Sequence, residues 1–113
     1  MKHTMHLYEP GGELVAKGLK SIEVRLYDEK RQDITVGDEI TFIRNDGSEL
    51  NVIVTGVVIC SSFKDLYEHV NVIEIGYTTV TEADYNDMYK YYSKSEEECY
   101  GVVGIIFEVK SKE

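Results

Sequence analysis

The chain has 113 residues, 42% of them hydrophobic and 11% aromatic, with a formal net charge of −9. That length fits a single domain over residues 1–113 with a modest core and no linker, and the composition is globular rather than disordered. The charge argues against a sequence-indifferent coat for a phosphate backbone, and no apolar run reaches the ~20 residues of a membrane span.

In chain order, residues 4–8 read as a first strand, broken by Pro10-Gly11-Gly12 before a helical turn at residues 13–17 that Gly18 ends. Residues 22–27 alternate: Ile22, Val24 and Leu26 make an apolar face, and Glu23, Arg25 and Tyr27 the opposite one. A polar turn at residues 28–33 leads through Val36-Gly37-Asp38 into a strand at 39–44. Asp46-Gly47 then signals a hairpin, because the pair accepts the positive φ of tight turns. The return strand, residues 50–61, is long enough to need a bulge or bend, which Gly56 marks. Ser62 followed by Asp65 is a helix start, with Phe63, Leu66, Tyr67 and Val70 at helical spacing. Residues 71–76 read as loop or short strand. Thr81 to Asp84 signals a second helix running to Tyr92, with Tyr85, Met88, Tyr89 and Tyr92 as its apolar stripe, and Glu96-Glu97-Glu98 reads as a solvated acidic turn. The β-branched residues 101–109 suit a buried central strand that shares one curled sheet with residues 22–27, 39–44 and 50–60. The order predicts a mixed α+β fold, a small curled β-barrel with short helices over its openings.

Function concentrates in one stretch. Lys17, Lys20, Arg25, Lys30 and Arg31 put five of the chain's twelve basic residues between positions 17 and 31, whereas nine acids face three bases between 62 and 100. The first stretch is a candidate anion-facing site, expected to be locally positive and to favour small or well-held ligands over long polyanions. Cys60 and Cys99 are far apart, with no CxxC spacing, and the first residues lack the apolar run of a signal peptide, so a reduced, cytoplasmic setting is expected. His3 and His6 have no clustered acid or cysteine beside them, so no metal is expected. There is no glycine-rich phosphate loop, nucleophile elbow or DNA-specific motif, so no cofactor is expected, and no feature fixes an oligomeric state.

Gly18-x-Lys20-x-x-Glu23-x-Arg25, Val36-Gly37-Asp38-x-Ile40-x-Phe42, Tyr91-Tyr92-Ser93 and Tyr100-Gly101-Val102-Val103-Gly104-Ile105 together resemble the ASCH domain over nearly the whole chain. The resemblance implies a PUA-like barrel, RNA-related roles and, in small bacterial members, ribonuclease or acetylated-cytidine amidohydrolase activity. In amidohydrolase members the lysine of this motif acts with a threonine three residues on and a later glutamate. Here Lys20 fits, Glu23 stands in the threonine's place, and Glu74 is the candidate later acid. Ribonuclease members carry a tyrosine a few residues ahead of the lysine, and residues 13–16 contain none.

Two function classes follow. In the first, the chain binds an RNA element or a nucleoside-like ligand: Lys17, Lys20 and Arg25 contact phosphate or a base carbonyl, Glu23 accepts from an amine or ribose hydroxyl, and Tyr27 and Tyr92 supply stacking faces. In the second, a hydrolase of a modified nucleoside or a ribonuclease uses Lys20, Glu23 and Glu74 for proton transfer. The bland alternative is an ion-pair network that braces the barrel rim. An acidic helical face at residues 82–98 that docks a protein is a further possibility.

Overall fold

Each expected strand forms. The structure is a computed structural model describing residues 1–110, and its strands are β1 (Lys2–His6), β2 (Ile22–Leu26), β3 (Glu39–Ile43), β4 (Glu49–Cys60) and β5 (Val102–Val109). They make one sheet in the order β1-β3-β4-β5-β2, parallel only between β1 and β3. Gly47 takes a positive φ of 86° in the hairpin between β3 and β4. β4 serves two partners: its first half pairs with β3, its second with β5, and the register slips between Val54 and Gly56. That bulge bends the sheet into a half-barrel whose edges, β1 and β2, approach each other. The Arg25 guanidinium spans this seam, donating to the His6 carbonyl.

Both faces of the sheet are covered. Inside the curl, Met5, Ile40, Phe42, Val54, Ile105 and Phe107 form one core. On the outer face Ile22, Val24 and Leu26 pack with Phe63, Leu66 and Ile75 under the helices. Gly104 permits this second layer, since a Cβ there would lie 3.1 Å from Leu66 Cδ1. The helices are α1 (Gly11–Ala16), α2 (Glu29–Gln32), α3 (Phe63–His69), α4 (Val72–Ile75) and α5 (Lys94–Tyr100). None is long and apolar enough to cross a membrane. Ser62 caps α3 by accepting from the Asp65 N–H, as its sequence predicts.

Three local expectations are corrected. Residues 71–76 contain the one-turn helix α4, which Asn71 starts by accepting from the Ile73 N–H. The helix expected from Thr81 to Tyr92 is two 3₁₀ segments, Val80–Glu82 and Tyr85–Lys90, capped by Thr79 and Asp84. Two competing caps five residues apart divide the segment, and Tyr85, Met88, Tyr89 and Tyr92 still pack on the outer core. Glu96-Glu97-Glu98 is not a solvated turn but lies inside α5, where Ser93 and Glu96 form a capping box and Glu97 is buried.

Candidate functional site

The alternation of β2 sends Glu23 and Arg25 to the inner side of the sheet, opposite Ile105 and Val103 of β5. Lys20 precedes the strand and turns its amine back to them. Its Nζ lies 3.2 Å from Glu23 Oε1 and donates to the carbonyls of Ile22 at 2.9 Å and Ile75 at 2.7 Å. Two carbonyls accept from the amine, and the carboxylate completes its surroundings as an ion pair. Gly76, at φ 123°, ends α4 beside Lys20, and a Cβ there would lie 3.0 Å from Leu14 Cδ1.

The other carboxylate oxygen of Glu23 accepts from Arg25 Nε at 2.8 Å and lies 2.7 Å from Nη2. Each oxygen of one acid therefore holds a different cation. Lys20 and Glu23 are 9% and 8% exposed, so the triad carries one excess positive charge in a largely desolvated setting. Among the described residues Arg25 Nη1 has no protein acceptor, and it is not a buried orphan atom, so it remains a donor open to the cleft.

The triad forms the floor of a cleft of about 730 Å³. One wall comes from the segment after β1, with Leu7, Tyr8 and Pro10. The other comes from the outer layer, with Tyr67, Tyr77, Met88, Tyr91 and Tyr92. Its volume lies within the range of small-molecule sites. Tyr8 and Tyr91 are 68% and 70% exposed at its mouth. Tyr92 stacks on Phe63 with 5.9 Å between ring centroids, and burial pushes its phenol above the usual range. Along the same wall Tyr67 and Tyr77 place their hydroxyls 3.0 Å apart, and Tyr77 donates to Asp87 Oδ2 at 2.8 Å. Burial raises both phenols, which stay protonated donors at neutral pH.

Of the residues singled out in the sequence, Lys20, Glu23, Arg25 and Tyr92 line this cleft. Lys17 does not: it is exposed and pairs with Glu13 at 3.0 Å. Tyr27 packs against the inner core beyond the end of β2 and leaves the cleft without the stacking face expected beside Arg25. Glu74 meets Ser21, next to Lys20, but not the triad itself. Its carbonyl accepts from the Ser21 N–H and its exposed carboxylate from the Ser21 hydroxyl at 3.0 Å, off the cleft lining. The basic run at residues 17–31 is largely paired internally, since Arg31 also pairs with Asp28 at 3.2 Å. The cleft lining balances Lys20, Arg25 and Lys90 against Glu9, Glu23 and Asp87. Sequence reasoning missed Tyr8, Tyr77 and Asp87, which other parts of the chain deliver. The only signal for the two tyrosines was the excess of their type, nine residues with no tryptophan, and Asp87 had none. Among the described residues no group of three or more His, Cys, Asp or Glu could hold a metal ion.

A model of the ASCH domain matches residues 5–111. No curated protein matches the chain. Among solved structures it resembles the crystal structure of hypothetical protein PH0355, with 38% identity and a TM-score of 0.82 over 97% of this chain and 100% of that one. It also resembles the solution structure of protein PF0455 from Pyrococcus furiosus, with 35% identity and a TM-score of 0.71 over 96% of this chain and 97% of that one.

Proposed function

The chain belongs to the ASCH domain family, and we propose that it binds a nucleoside-like unit, free or at an accessible position of an RNA, in the cleft over Lys20, Glu23 and Arg25. The observation that carries this reading is the combination of a buried ionic floor with walls rich in tyrosine. Aromatic faces hold an unstacked base, and the polar floor can answer its edge. With the triad's excess positive charge offset by the rest of a balanced lining, the cleft suits a single nucleoside-sized ligand better than a long polyanion. Backbone affinity should therefore be weak and fall with salt.

The geometry favours binding over turnover. Lys20 Nζ is engaged by two main-chain carbonyls and the Glu23 carboxylate, and the acid that would share proton transfer with it, Glu74, is off the cleft. Titration of nucleosides, their 5′-monophosphates and short single-stranded RNAs, followed by amide chemical shifts with turnover monitored, tests the reading. Saturable shifts of Arg25, Tyr91 and Tyr92, weakened in Arg25→Lys and Tyr91→Ala, are expected. Absence of cleft shifts with every probe, or hydrolysis of a nucleoside that is lost in Lys20→Met, overturns it.

A further inference from the structure

β2 is an edge strand, and its free side opens on the cleft. The Phe107 N–H donates to the Ser21 carbonyl and the Tyr27 N–H to the Gly101 carbonyl, both at 3.0 Å. In the continuous register between them, Glu23 opposes Ile105 and Arg25 opposes Val103. Odd positions therefore exchange hydrogen bonds with β5, and the main-chain groups of Ile22, Val24 and Leu26 turn to the free edge. Ile22 bears this out, because its carbonyl is the one Lys20 Nζ takes. Among the described residues the N–H and C=O of Val24 have no protein partner, although the residue is only 4% exposed and lines the cleft. Main-chain polar groups in so closed a place need water or a ligand.

We propose that the Val24 main chain reads the ligand: its N–H and C=O hydrogen-bond in the plane of the sheet to the edge of a nucleobase, whose ring lies between the two walls. The inference rests on the nucleoside reading above and deepens it. A ring lying in the extension of β2 has Leu7 and the Glu23 and Arg25 side chains on the inner side, and Met88 and Tyr92 on the outer side. The pairing edges of bases set a donor beside an acceptor, which matches one outward-facing strand residue. An added peptide strand fits less well, because strand addition needs a run of open edge. Here the Ile22 carbonyl is taken and Leu26 is off the cleft. One residue of edge accommodates one ring.

The test pairs uridine, inosine and guanosine with 3-methyluridine, 1-methylinosine and 1-methylguanosine, neutral nucleosides whose methyl groups block the pairing edge, in amide-shift titrations of the intact chain. The Val24 amide of the wild type should move downfield on binding, and blocked nucleosides should bind at least about tenfold more weakly. Val24→Pro removes an N–H that the β5 ladder does not use and should weaken binding to the same extent. If that variant fails to fold, the methylated series on the wild type still decides. Nucleosides that shift Arg25 and Tyr92 but leave the Val24 amide unmoved, and bind equally when methylated, refute the edge contact while leaving the cleft reading in place. Absence of any cleft shift refutes both, as does an extended peptide that shifts residues 21–26 where nucleosides do not.

Discussion

Glu23 and Glu97 are buried to the same degree, 8% and 7% exposed, yet they are held by opposite kinds of partner. Glu97 accepts from the Phe63 N–H and the Tyr89 hydroxyl, both at 2.8 Å, so neutral donors tie α5 to the first turn of α3 and to the 3₁₀ segment. The Phe63 N–H is one of the donors a helix start leaves open, and a carboxylate there also suits the helix dipole. Glu23 is held by two cations and sits beneath a cleft, with a spare nitrogen of Arg25 facing outward. Burial alone therefore does not mark a functional acid. What separates the two is partner charge together with a donor left over.

The most severe way to break the comparison is Lys20→Met. It strands one oxygen of Glu23 and the carbonyls of Ile22 and Ile75, so stability should fall by about 3–5 kcal/mol in urea unfolding. The brace reading of the triad and the binding reading agree on that loss, so Lys20 variants alone do not isolate the site. Glu97→Leu orphans two neutral donors and should cost roughly 1–3 kcal/mol for each. Nucleoside affinity of the folded fraction should stay unchanged, and a parallel loss of affinity would erase the distinction between the two acids.

Arg25→Lys sharpens it further. The positive charge is kept, but the planar fork that spans Glu23 and the His6 carbonyl is lost, along with the open Nη1. Stability should drop by about 1 kcal/mol, while affinity falls at least about tenfold. Equal affinity in calorimetry would leave Arg25 as a seam closure between β1 and β2 and nothing more.

The two acids also differ in how legible they were. Glu23 stood out because its partners lie three residues before and two after it, close enough for strand alternation to bring them together. Glu97 was read as part of a solvated run because its partners, Phe63 and Tyr89, are distant in the chain. The Ser93 and Glu96 capping box was nonetheless present in the sequence and predicts the helix that buries it. The sheet was legible for the same local reasons: alternation in β2, the Asp46-Gly47 turn and the bend at Gly56. The cleft walls were not, because Tyr8 and Asp87 come to line one cleft only through the curl of the sheet and the return of the outer layer. Tyr27 shows the converse error. It shares parity with Arg25, but β2 has ended before it, and its ring packs into the inner core.

The smallest expected effect lies at the Glu97 brace and is read by pH. Burial, reinforced by the hydrogen bond to Glu97, pushes the Tyr89 phenol up to about 12. Its ionised form is thus less favoured in the folded chain than in the unfolded one, whose phenols titrate near 10. Below that pH the contribution is fully present, and it is lost as pH rises from about 10 through the folded value. Unfolding midpoints of the wild type should therefore fall across this alkaline interval, and Tyr89→Phe, which has no proton to lose, should fall less steeply. Tyr67 and Tyr77, also raised by burial, keep part of the slope in both proteins, so the difference between them isolates Tyr89. Coincident alkaline profiles would mean that the Tyr89 to Glu97 bond contributes nothing to the brace, and the contrast with Glu23 would then rest on the Phe63 N–H alone.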